Sequence, residues 1–149
     1  MPKKIRISTS VPEGKVVKIN HNGVDNGYLK YDNNVSFSFQ FLREKDDKFK
    51  YSGKDSSYFL KLVNRLKDIC TLSRMNLITS RSKSLRCHPL DWNEKKITEE
   101  CFSIPKEEEF TQDRHQIQIS SNAYGRVHGF FILDVFYVVW LDPEHELYS

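Results

Sequence analysis

Residues 135–141, VFYVVWL, are apolar without interruption and stop at Asp142-Pro143. A run that is apolar on both faces fits a strand covered on both sides, the interior position of a sheet. It must end where it does, because proline cannot extend a ladder and restricts the residue before it. Extended back to Phe130, the run contains Asp134 and is too short to span a bilayer, so no membrane partner is expected.

An interior strand needs neighbours, and the flanking sequence supplies them. RHQIQIS places His115, Ile117 and Ile119 on one face and Arg114, Gln116 and Gln118 on the other, the period of a strand. The turn SNAYG follows, residues 125–132 read as the next strand, and Leu133-Asp134 joins it to the last. Earlier in the chain, VSFSFQF alternates Val35, Phe37, Phe39 and Phe41 with Ser36, Ser38 and Gln40, which predicts a strand with one wet face. Between these segments Tyr58, Phe59, Leu62, Val63, Leu66, Ile69 and Cys70 recur at three and four residues. That spacing predicts an amphipathic helix from about Ser57, capped by Asp55 or Ser56, with Cys70 as a small core residue. A second short helix is expected from Ser73 to Ile78. Residues 94–113 are highly charged and read as surface loop with a brief helix or strand.

The predicted architecture is α+β. One domain over 1–149 holds an antiparallel sheet, made of the C-terminal three-strand meander and the earlier strand, with one main helix packed on one face. Residues 1–32 carry the turn signals Asn22-Gly23 and Asn26-Gly27 and read as an N-terminal hairpin or arm. At 149 residues the chain is long enough for a single core without staples. Cys70, Cys87 and Cys101 are an odd set with no C-x-x-C pair, so a reducing, cytoplasmic setting is expected rather than a disulfide framework. The basic N-terminus lacks the apolar stretch of a signal peptide.

The net charge of +3 permits contact with nucleic acid without requiring it. More informative is the start of the penultimate strand. Arg126, His128 and Phe130 alternate with Val127, Gly129 and Phe131, so the guanidinium and the imidazole share a face with Cα atoms about 7 Å apart. Such a pair can grip one phosphate. His145 and Tyr148 arrive just after the neighbouring strand ends, with Asp142 or Glu144 able to orient an imidazole. Arg86 and His88 form a second basic pair, and Arg81 and Lys83 extend it into a stretch suited to a phosphate backbone. Trp92 is the aromatic expected to stack on a base. Metal-free RNA cleavage needs a base for the 2′-hydroxyl, an acid for the leaving oxygen and cations for the phosphorane. His, Arg and Tyr in one cleft supply all three.

The segment YGRVHGFFILDVFYVVWLDPEHELY resembles the C-terminal sheet of RelE-type messenger-RNA interferase toxins, the group that includes YoeB and HigB. The resemblance covers about a sixth of the chain. It implies that Arg126 is the sheet arginine, that Asp142 and His145 form the D-x-H-like end, and that Tyr148 is the terminal aromatic. The chain is longer than is usual for that group and lacks its paired N-terminal helices. The same tail looks like that of uncharacterised proteins of bacterial mobile elements, a setting that suits a toxin or a defence component.

Two functions follow as expectations. The first is an RNA-directed endoribonuclease with catalytic Arg126, His128, His145 and Tyr148, RNA-binding Arg81, Lys83, Arg86 and His88, and RNA and an antitoxin as partners. The second is a non-catalytic protein-binding module of a defence or counter-defence complex, whose signature is an exposed apolar patch. Against both stand ordinary roles: Arg126 and His128 satisfied by carboxylates, His145 as a polar turn residue, Tyr148 covering a sheet edge. No P-loop, dinucleotide-binding glycine pattern, H-E-x-x-H or G-x-S-x-G motif occurs, and the spacing of Cys87, His88, Cys101 and His115 fits no standard zinc finger. No cofactor or metal is expected.

Overall fold

A computed structural model describes residues 33–83, 85–120 and 123–148. The chain divides into two units, Met1–Asn34 and Val35–Ser149, and every element below belongs to the second. The N-terminal hairpin or arm expected at 1–32 lies outside the described residues.

Among the described residues five strands, β1 (Ser36–Ser38), β2 (Cys87–Pro89), β3 (Arg114–Gln118), β4 (Arg126–Ile132) and β5 (Val135–Asp142), form one sheet in the order β1-β5-β4-β3-β2. The predicted meander is present as β3, β4 and β5, all antiparallel. β1 adds to β5 in parallel, so the sheet is mixed. The α+β class stands, with a short extra strand, β2, at the far edge. The helices described are α1 (Ser56–Ile69), α2 (Arg74–Thr79) and α3 (Glu107–Phe110).

Local chemistry sets the helix starts. Asp55 caps α1 by accepting from the backbone N–H of Ser57 and Tyr58, and Ser73 caps α2 by accepting from Asn76. These bonds satisfy donors that the first turn leaves without partners. The α1 stripe is narrower than the spacing predicts. Tyr58, Leu62 and Ile69 are buried, whereas Val63 and Cys70 are exposed, because one sheet face covers only one side of a cylinder. Cys70 is therefore not a core residue.

Both sheet faces are covered. On one, α1 and α2 pack Tyr58, Leu62, Ile69 and Leu77 against Ile117, Val127, Phe131, Phe136, Val138 and Leu141. On the other, loops bring Phe49, Leu90, Phe102 and Ile104 onto Phe130, Val139, Trp140 and Leu147. This second core is largely aromatic, with Phe49 stacked on Trp140 at 4.4 Å between ring centroids. A bulge makes it possible. His128 pairs with Trp140 but Gly129 pairs with Val138, so Val139 is inserted and Val139 and Trp140 reach the same core. At Gly129 the strands approach so closely that a Cβ there would stand 2.0 Å from the Tyr137 carbonyl oxygen.

The early alternating segment is cut short. Only Ser36–Ser38 is strand; Leu42 N–H then bonds to the Phe39 carbonyl in a turn. Phe39 is left exposed, and Phe41 crosses to the aromatic core to stack on Phe110. Among the described residues no helix is long and apolar enough to cross a membrane.

Candidate functional site

Strand register brings two polar rows onto one sheet face. His88 pairs with Gln116, Gln116 with His128, and His128 with Trp140. One step along, Gln118 pairs with Arg126 and Arg126 with Asp142, while Gln118 N–H bonds to the Arg86 carbonyl. Arg86, Gln118, Arg126 and Asp142 thus follow one another across four strands spaced about 4.8 Å apart.

Beyond β5 the chain turns back over this face. Asp142 Oδ1 accepts from Glu146 N–H at 2.7 Å, and Oδ2 accepts from Leu147 N–H at 3.0 Å. His145, just before them, has a left-handed backbone with φ of 60°. Leu147 enters the aromatic core and Tyr148 bridges to Ile97. The turn leaves His145 and Tyr148 over the polar rows. Together Arg86, His88, Gln116, Gln118, Arg126, Asp142, His145 and Tyr148 line an open cleft of about 310 Å³.

The cleft is short of negative charge. Neither Arg86 nor Arg126 is ion-paired among the described residues. Burial lowers the pKa of the Arg126 guanidinium, Asp142 opposes that, and the like charge of Arg86 adds to it. Among the described residues Asp142 is the only carboxylate lining the cleft. Burial raises its pKa, but the hydrogen bond from His128 and the N–H groups of Glu146 and Leu147 outweigh that and hold it below the usual carboxylate value. Its two oxygens already accept from His128, Glu146 and Leu147. Burial raises the Tyr148 pKa, with Glu94 adding to the effect and Gln116 and Arg126 opposing it. The phenol stays protonated, and since its oxygen accepts from Gln116 Nε2 at 3.1 Å, its own hydrogen is left to donate. Two guanidiniums, two imidazoles and a phenol around one cavity are the groups that recognise an oxyanion such as phosphate.

Of the four residues expected to converge, Arg126, His145 and Tyr148 do. His128 does not. Its side chain shares the Arg126 face, as the alternation requires, but it is fully buried behind the cleft, edge-on to Phe49 and Trp140. There His128 Nε2 lies 3.0 Å from Asp142 Oδ2. Burial lowers its pKa more than Asp142 raises it, so it is a neutral imidazole donating Nε2–H to the carboxylate. Arg86 and His88 line the cleft as expected, brought there by β2, whereas Arg81 and Lys83 are exposed outside it. Trp92 is not a free stacking platform, since it packs edge-on against Phe102 and Trp140 at 5.0 and 6.2 Å. Gln116 and Gln118 join the cleft without having been singled out as site residues, and their signal was the alternation of RHQIQIS. Asp142, expected to orient an imidazole, does so for His128.

No family model, no curated protein and no solved structure matches the chain. The fold and cleft define it as an α+β domain with a basic cleft of about 310 Å³ at one end of its sheet.

Proposed function

We propose that this chain is a metal-independent, RNA-directed endoribonuclease of the toxin or defence type, acting in the cytoplasm and held in check by a protein partner. One observation carries the reading: Arg86, Arg126, His88, His145 and Tyr148 line one cleft whose lining carboxylate, Asp142, is already engaged by His128 and by the N–H groups of Glu146 and Leu147. His145 takes the proton from a ribose 2′-hydroxyl, and the oxygen attacks the adjacent phosphorus. Arg126 and Arg86 neutralise the charge that accumulates on the phosphorane, where electrostatic stabilisation counts most. His88 protonates the departing 5′-oxygen, and Tyr148 donates its hydrogen to a non-bridging oxygen. The products are a 2′,3′-cyclic phosphate and a 5′-hydroxyl, so atoms balance without water or a cofactor. His128, out of reach of substrate, has no place in proton transfer. The test is incubation of defined single-stranded RNA with the full chain in a chelator. Cleavage that is lost in Arg126→Ala with folding intact supports the reading, and RNA left whole by the wild-type protein removes it.

The protein-binding reading draws on a different surface. Leu60 and Val63 stand 62% and 58% exposed on the outer side of α1, and Met75 of α2 and Leu133 are 68% and 79% exposed. Capture of one stoichiometric protein, lost in Leu60→Lys/Val63→Lys while nuclease assays of the free chain stay blank, would favour binding alone.

A further inference from the structure

Beneath the cleft lies a carboxylate and imidazole pair that no step of the reaction uses. Asp142 is 1% exposed and His128 0% exposed, yet buried charge is costly, and an apolar pair of similar volume is often as stable. The connections of the pair point to a use. One carboxylate receives the N–H groups of Glu146 and Leu147 and Nε2–H of His128. It therefore ties the 143–148 turn, which carries His145 and Tyr148, to β4, which carries Arg126. His145 adopts a left-handed backbone conformation that a residue with a Cβ holds only when its surroundings dictate it. The two N–H groups that follow it are the ones Asp142 holds.

We infer that Asp142 and His128 are positioning residues, a buried clamp that sets His145 and Tyr148 opposite Arg126. Its catalytic consequence rests on the nuclease reading, whereas its geometric content does not. His128 is the brace and Asp142 the hinge pin. Without the Nε2–H donor the carboxylate can swing, and a displacement of 1 Å at a reacting group can cost about a hundredfold in rate. Phosphate affinity, set by Arg86 and Arg126, should survive.

The experiment compares His128→Gln, whose amide N–H replaces Nε2–H, with His128→Leu and Asp142→Asn, all in the full chain. Turnover and KM are measured on single-stranded RNA. Ring resonances of His145 and Tyr148 are followed by NMR, and affinity is measured for an all-deoxy oligonucleotide that cannot be cleaved. The His128→Leu and Asp142→Asn variants should lose about tenfold to a hundredfold in kcat with KM and oligonucleotide affinity within about twofold, and their His145 and Tyr148 resonances should shift or broaden. His128→Gln should restore most of both. A merely structural pair would lower stability and leave the resonances and the kcat-to-KM split unmoved. Resonances unchanged in folded His128→Leu, or equal loss in the Gln and Leu variants, overturn the clamp. Should Asp142→Asn fail to fold, the two His128 variants decide. If wild-type protein cleaves nothing, the nuclease reading falls alone and the resonances still judge the clamp.

Discussion

Arg126→Met separates a functional cation from a structural one. The Arg126 side chain makes one long hydrogen bond, Nη1 to the Gly125 carbonyl at 3.4 Å, and no ion pair among the described residues. Its charge is disfavoured on balance, burial and Arg86 outweighing the attraction of Asp142. Methionine keeps most of the apolar stem, so stability in urea at neutral pH should stay within about 0.5 kcal/mol of wild type or rise. Binding should behave otherwise. A hydrogen bond to a charged group is worth about 1.5–3 kcal/mol, which is roughly 10- to 160-fold in affinity. One lost phosphate contact on a single strand also flattens the slope of log K against log salt by about 0.7. Fluorescence anisotropy with a labelled deoxy oligonucleotide at several salt concentrations reads both quantities. A variant that loses more than about 1 kcal/mol of stability yet keeps its affinity and salt slope would refute the reasoning, since Arg126 would then support the fold and not an anion.

Three further outcomes follow from the geometry. Burial chiefly, with Arg74 and His88, lowers the His115 pKa to about 4; the neutral form is the stabilising one, fully so above the ordinary value of about 6.5. Stability should therefore fall as pH drops from about 6.5 towards 4, by about 2 kcal/mol at pH 5, and His115→Leu should remove that share while buried His128 leaves a residue of the same sign. Gly129→Ala puts a Cβ 2.0 Å from the Tyr137 carbonyl oxygen and 2.8 Å from Phe136, so urea unfolding should show a loss of about 3 kcal/mol or more, and an unchanged midpoint would contradict the strand approach. Tyr148→Phe strands the Gln116 amide, costing about 1 kcal/mol, and should lower RNA turnover with the salt slope unchanged; a flattened slope would place Tyr148 among the charge-bearing groups instead.

The interior strand and the meander are legible in sequence because period-two alternation is a local property, read correctly at Arg126, His128, Gln116 and Gln118. What is not local is harder. β2 is three residues ending in a proline, with no periodicity to read, yet its pairing with β3 is what delivers Arg86 and His88. The inserted Val139 shifts register in a run where every residue is apolar, so no polar residue marks the change of face. Phe39 continues a faultless alternation after the strand has ended, because the turn at Leu42 is fixed by a backbone bond and by Arg43 N–H reaching the Val139 carbonyl. His128 shows the limit most clearly. Its face follows from alternation, but its burial depends on a loop carrying Phe49 from distant sequence, and on Asp142 turning to it.

The most direct measurement is the chemical nature of the RNA ends. Single-stranded RNA incubated with the full chain in a chelator and analysed by mass spectrometry should yield fragments ending in a 2′,3′-cyclic phosphate and beginning with a 5′-hydroxyl, and none with Arg126→Met. Intact RNA, or fragments carrying 5′-phosphates, would contradict a cleft in which imidazoles move the protons and guanidiniums carry the charge.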